Sequence, residues 1–281
     1  MRILVTGVGG QLGTDVVAEL KKRGHEVIAV SQEELDITEE AKVEAFVMST
    51  RPEAIIHCAA YTAVDVAEDN YELAFQVNCL GTRYLVQACK NLNGKFVYIS
   101  TDYVFSGEGD QPWKVDDVTN PQNNYGKTKL LGEEEVKKYT DRYFIVRTSW
   151  VIGAVGKNFV KTMLQLGKAR GAVSVVNDQI GSPTFTKNLS TLLSDMVETN
   201  RYGVYHATNE GECSWYEFAV EIFRQAKLDV TVTPVSSSEF PAKAVRPKNS
   251  RMSKDCLTKN GFHRLPDWKL ELGEYLKTID V

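Results

Sequence analysis

Met1-Arg2-Ile3-Leu4-Val5-Thr6-Gly7-Val8-Gly9-Gly10-Gln11-Leu12-Gly13 opens the chain and decides how the rest is read. Ile3–Thr6 is a short apolar run of the kind that forms a strand covered on both faces. Gly7, Gly10 and Gly13 follow at three-residue steps, and Gln11–Arg23 then reads as a helix. A pyrophosphate must approach backbone N–H groups at a helix N-terminus, where the dipole favours anions, and a Cβ in the turn obstructs that approach. Glycines that merely make a turn are the bland alternative. The strand before them and the amphipathic helix after them favour a dinucleotide cradle built from Gly7, Gly9, Gly10, Gln11, Leu12 and Gly13.

Outward from this loop, strand-like and helix-like segments alternate. Val27–Val30, Ala54–Cys58, Phe96–Ile99 and Phe144–Val146 read as strands; Glu39–Met48, Tyr71–Asn91 and Tyr125–Tyr139 read as helices. Within Tyr71–Asn91, Leu73, Val77, Leu80, Tyr84 and Ala88 recur at three- and four-residue steps, one apolar helix face. Such alternation predicts an α/β fold, a Rossmann-type doubly wound parallel sheet with a smaller C-terminal substrate-binding lobe. Residues 1–150 form the expected dinucleotide-binding domain, with part of 172–210 returning to it, and 151–281 form mainly the lobe. There Phe159–Lys168, Leu189–Glu198 and Trp215–Ala226 read as helices, and Val173–Val176 and Val204–His206 as strands. Ser236–Arg251, with Pro241 and Pro247, reads as a loop on the lobe.

The 281 residues carry a net charge of -4 with no dense Lys/Arg cluster, so nucleic-acid binding has no electrostatic support. No apolar stretch reaches the length of a membrane span, and the N-terminus lacks the longer apolar region of a secretory leader; a cytoplasmic protein is expected. The five cysteines make no Cys-x-x-Cys pair and read as free thiols; the four histidines are too scattered to hold a metal.

Tyr125 and Lys129 stand four residues apart, on one face of their helix. A phenol with a pKa near 10 exchanges protons poorly at neutral pH, and a neighbouring ammonium is expected to lower that value. Thr101 closes the fourth strand, at the carboxyl end where ligands of open α/β sheets bind, within reach of the same carbonyl oxygen. Tyr-x-x-x-Lys alone is a common helical spacing. After a glycine loop and a strand-terminal Ser100-Thr101 it specifies Tyr125, Lys129 and Thr101 as a catalytic set.

These residues resemble the extended short-chain dehydrogenase/reductase superfamily. Further stretches resemble one family within it, the dTDP-4-dehydrorhamnose reductases: Ala59-Ala60-Tyr61-Thr62-Ala63-Val64-Asp65, Ser100–Phe105, Arg147-Thr148-Ser149-Trp150, Asn177–Thr184 and Arg246-Pro247-Lys248-Asn249-Ser250-Arg251. The resemblance covers essentially the whole chain. It implies reduction of the C4 keto group of a dTDP-6-deoxy-hexulose by a nicotinamide cofactor. Tyr125 would protonate the C4 oxygen, Thr101 would bind it, and Lys129 would hold the nicotinamide ribose. It also implies a homodimer and, in some relatives, magnesium at its assembly. No metal cluster is seen in the sequence, where Asp15 reads as an isolated acid on a solvated face.

Ala59, Ala60 and Tyr61 should line the cofactor cleft, and Asp36 and Ile37 should lie against the adenine. No acid directly follows Val30, which leaves room for NADPH with Ser31 bonding its 2′-phosphate; relatives use NADH as well. Asp102, Tyr103 and Trp150 are candidates for the sugar or base. Asn158, Arg246 and Arg251 are candidates for the diphosphate. Two other readings compete: a nucleotide-sugar epimerase or dehydratase on the same scaffold, and a non-catalytic regulatory subunit. A dehydratase typically adds an acid pair beside the threonine, and Tyr103 stands where its second acid is expected.

Overall fold

Side chains of the first strand alternate between two cores, and this alternation sets the layering. In the computed structural model, which describes residues 1–240 and 242–279, β1 (Arg2–Thr6) is followed by β2 (Glu26–Val30), β3 (Ala54–His57), β4 (Lys95–Thr101) and β5 (Tyr143–Thr148). Ile3 and Val5 pack with Val97, Phe144 and Val146 on one face, and Leu4 packs with Ile55, Phe96 and Ile145 on the other. The first face is covered by α1 (Gln11–Lys22), through Val16 and Leu20. The second is covered by α2 (Glu40–Thr50), α3 (Thr82–Asn91) and α4 (Asn124–Tyr139), through Val43, Leu85 and Val136.

After β5 the chain builds a lobe from α5 (Phe159–Arg170) and β6 (Ala172–Val176). It then returns through α6 (Thr186–Val197), which packs on α1, to β7 (Gly203–His206). All pairings in the main sheet are parallel, in the order β7-β5-β4-β3-β1-β2. The chain leaves β1 for β2 on one side and comes back to β3 on the other, so a topological switch lies between β1 and β3.

Two expectations need correction. Tyr71–Asn91 is not one regular helix: an α-turn (Tyr71–Phe75) and a π-helical segment (Gln76–Gly81) precede α3. The wider π turn shifts the helical phase. Leu73 is therefore exposed, while Leu85, Val86 and Cys89 join Ala88 inside. In the lobe, β6 pairs with β8 (Thr231–Val235). Asp15 is not isolated; it accepts a hydrogen bond from Thr186 Oγ1, across the α1–α6 contact.

The lobe has its own core, in which Val160, Met163 and Leu164 meet Phe218 and Phe223 of α7 (Trp215–Ala226) and Trp268 and Leu272 of α8 (Trp268–Leu276). Ser214 starts α7 with a reciprocal capping box with Glu217. The loop after β8 runs back across the first half of the molecule as a strap; its Pro241 lies outside the described residues. Ala244 N–H donates to Asp65 Oδ1 (3.0 Å), Asn123 Nδ2 to Val245 O (2.9 Å) and Asn249 N–H to Gly107 O (2.8 Å). Among the described residues no helix is long and apolar enough to cross a membrane.

Candidate active site

The carboxyl ends of β1 to β4 open into a cleft of about 830 Å³ at the switch point. One wall is the glycine loop. Gly7 has φ +72°, and a Cβ there would lie 2.6 Å from the Ala59 backbone nitrogen; one at Gly13 would lie 2.4 Å from Gly7 O. Side chains at these positions would push the loop off β3 and α1. Gly10 caps α1 without a side-chain hydrogen bond, which leaves the helix's first N–H groups for an anion. This cradle fits the pyrophosphate of a dinucleotide.

The loop is held from below by residues that sequence reasoning passed over. Thr6 Oγ1 bonds His57 Nδ1 (2.8 Å), His57 Nε2 bonds Thr82 Oγ1 (3.2 Å), and Thr82 Oγ1 donates to Asn78 O (2.8 Å). Burial pushes the His57 imidazole down to about 3, so the ring is neutral and can donate at one nitrogen while accepting at the other. Asn78, inside the π segment, accepts from Tyr61 N–H (2.8 Å) and donates to Tyr61 O (3.2 Å) and Thr128 Oγ1 (3.0 Å). One carboxamide thus ties the Ala59–Tyr61 loop to α4. A π segment at such a junction is a recurrent mark of functional sites, but nothing in the helical spacing announces it.

At the other end of the cleft, β4 runs on to Thr101 and turns through a 3₁₀ segment (Asp102–Val104). Asn123 caps α4 by accepting from Gly126 N–H (2.8 Å). A Cβ at Gly126 would lie 2.2 Å from Tyr103 O, so a glycine between Tyr125 and Lys127 is what lets the first turn of α4 rest on the 3₁₀ turn. Tyr125, Lys129 and Thr101 accordingly share one wall with Asp102 and Tyr103. The Tyr103 ring meets Tyr125 edge-on at 5.4 Å. Thr101 Oγ1 donates to Asp102 Oδ1 (3.0 Å) and accepts from Tyr103 N–H (3.2 Å).

The electrostatics differ from the expectation drawn for the pair. Burial raises the Tyr125 phenol above its ordinary value; the Thr101 hydroxyl opposes this, and Asp102 and Tyr103 add to it. Lys129 is not among these influences; its ammonium lies over the Tyr98 ring, 4.1 Å from the centre. Burial pushes Lys129 down to about 7, against the pull of Glu133. Tyr125 is therefore protonated at neutral pH, the form a proton donor needs.

The remaining candidates divide. Ser31, Asp36, Ile37, Ala59, Ala60, Tyr61 and Trp150 are on the cleft wall. Trp150, at φ +49°, stacks on Trp215 with centroids 3.6 Å apart. Arg246 is not on the wall itself but reaches it, donating to Tyr103 OH (3.1 Å) and pairing with Asp65 (2.5 Å). Arg251 lies off the wall, paired with Glu212 (3.0 Å) and bonded to Asn249 Oδ1 (3.1 Å). Asn158 is also outside the cleft. Its oxygen caps α5, and its amide donates to Gln11 Oε1, Gly153 O and Tyr275 OH, so the side chain is spent on joining α5 to the glycine loop. Among the described residues no three His, Cys, Asp or Glu side chains gather as a metal site.

Ser250, on the strap, donates to Asp102 Oδ2 at 2.5 Å, both groups buried. Burial raises the Asp102 carboxyl to about 6, and the Ser250 and Thr101 hydroxyls hold it from going higher. Ser250→Ala is expected to move Asp102 above that value and to lower kcat about tenfold near pH 7, the worth of one hydrogen bond to a charged group. A kcat–pH profile checks this: the acid-side fall should begin at higher pH in the variant, because its Asp102 takes up a proton sooner.

Comparison with known proteins agrees with this geometry. The chain is 39% identical over 276 residues to a spore coat polysaccharide biosynthesis protein of Bacillus subtilis, covering 98% of this chain and 97% of that one. It is 40% identical over 262 residues to a dTDP-4-dehydrorhamnose reductase of Aggregatibacter actinomycetemcomitans, covering 89% of each. A crystal structure of dTDP-4-dehydrorhamnose reductase from Bacillus anthracis in complex with NADP superposes with a TM-score of 0.97 at 44% identity, over 99% of both chains. The family model described as the RmlD substrate binding domain matches residues 1–281, and the chain belongs to that family.

Proposed function

We propose that this chain is an NAD(P)H-dependent oxidoreductase that reduces the C4 keto group of dTDP-4-dehydrorhamnose, giving dTDP-L-rhamnose. The observation that carries the reading is the convergence of Thr101, Tyr125 and Lys129 on one wall of a cleft whose opposite end is a pyrophosphate cradle. With the pyrophosphate in that cradle, the reduced nicotinamide of the same dinucleotide would supply the hydride. Tyr125 OH donates the proton to the C4 oxygen as negative charge develops there. Thr101 Oγ1 bonds the same oxygen and fixes its position. Lys129, with an ammonium that titrates near neutrality, holds the nicotinamide ribose and returns a proton to Tyr125.

Trp150 and Tyr103, on the cleft wall, offer aromatic faces to the sugar nucleotide, and Arg246, bonded to Tyr103 OH, is the candidate for its diphosphate. Tyr103 stands after Asp102, where a dehydratase would place its second acid. A homodimer in the cytoplasm belongs to the same proposal. The test follows NADH and NADPH absorbance with dTDP-4-dehydro-6-deoxyglucose and a 3,5-epimerase that generates the keto-sugar. Oxidation dependent on the keto-sugar is expected; none with either nucleotide would overturn the assignment.

A further inference from the structure

Ser31, the first residue after β2, opens a tight turn in which Leu35 N–H donates to Ser31 O (3.0 Å). The turn brings Glu34 back onto the strand end, where its Oε2 accepts the Ser31 N–H at 2.8 Å. That bond, together with the Ser31 hydroxyl, holds the Glu34 carboxyl below its ordinary value, and no cation contributes. Ser31, Gln32, Leu35 and Asp36 line the adenosine end of the cleft. Among the described residues the only Lys or Arg on the cleft wall is Lys129, at the catalytic end.

We propose that Glu34 makes this cleft select NADH over NADPH. A 2′-phosphate at this position needs N–H donors and a cation. The Ser31 N–H is already spent on a carboxylate, no Lys or Arg lines this end of the cleft, and the added charge is negative. A ribose diol is neutral and can donate to Glu34, so it loses nothing by the same arrangement. Ser31 taken alone favoured NADPH. The acid missing from the strand end is supplied three residues later, by the fold of the turn.

The inference rests on the reading of the cleft as a dinucleotide site. Its test is equilibrium binding, by the fluorescence of NADH and NADPH titrated into the full chain and into Glu34→Gln, a solvent-exposed change that keeps an acceptor at Ser31. The native chain is expected to bind NADH at least about tenfold more tightly than NADPH. Glu34→Gln should narrow that ratio several-fold, mainly by tightening NADPH. Equal binding of the two by the native chain, or a ratio unmoved in Glu34→Gln, would overturn the role of Glu34 and leave the dinucleotide site standing. Binding of neither would overturn the site itself, and the preference with it.

Discussion

Tyr125→Phe should lower kcat by about 10²- to 10⁴-fold, the usual worth of a positioned proton donor, while leaving the binding of NADH nearly unchanged. The substitution removes one oxygen. The ring stays wedged edge-on against Tyr103, and the α4 cap at Asn123 and the Gly126 contact are untouched, so the cleft keeps its shape. On the proposed mechanism, what is lost is the proton for the C4 oxygen. Burial holds the Tyr125 phenol above its ordinary value, so the native enzyme starts its cycle protonated; the difficulty lies in restoring the proton after each turnover. Lys129, depressed to about 7 by the same burial, can lose and regain a proton at neutral pH. Single-turnover rates with prebound NADH check the division of labour. Tyr125→Phe should slow the hydride step itself, whereas a variant that merely misfolds the cleft would lose NADH binding in parallel.

Much of this site was legible in the sequence because its parts sit at element ends, where local chemistry is strict. The glycine loop announces itself because Gly7 and Gly13 cannot carry a Cβ, and Thr101 because a strand runs out there. Tyr125 and Lys129 are read from helical spacing together with the glycine loop and the strand-terminal threonine that precede them. What was not legible depends on tertiary contacts. The π segment looks helical in pattern, and only the bonds from Asn78 to Tyr61 and Thr128 explain it. Asn158 was a reasonable diphosphate ligand by residue type, yet helix capping and Gln11 consume it. Arg251 was likewise plausible until Glu212 paired it. Glu34 stands four residues beyond Val30, a distance that a single turn cancels.

Glu133→Ala should destabilise the fold by about 3–5 kcal/mol, the cost of leaving a buried charge without its partner. Glu133 lies on α4 one turn after Lys129 and is 0% exposed. Its carboxylate takes both arms of Arg147 from β5, at 2.8 and 2.7 Å, and the hydroxyl of Ser100 from β4, at 2.6 Å. Burial alone would raise the Glu133 carboxyl, but the Arg147 bonds and charge, with Ser100, outweigh it and hold it below its ordinary value. The pair is thus a clamp that sets the catalytic helix against the two strands behind it. Denaturant melts should show the loss as a lower midpoint. Because the folded-state pKa of Glu133 is depressed, its contribution is fully present above the unfolded value and fades as pH falls through the folded one. The gap between native chain and variant should therefore shrink in acid. The double change Glu133→Leu with Arg147→Met should recover much of the stability, since matched apolar groups can replace a buried ion pair at little cost. It should not recover activity in full, because Lys129 loses the anion that raises its pKa. A double variant as unstable as Glu133→Ala would mean that packing, not the orphaned Arg147 charge, carries the effect.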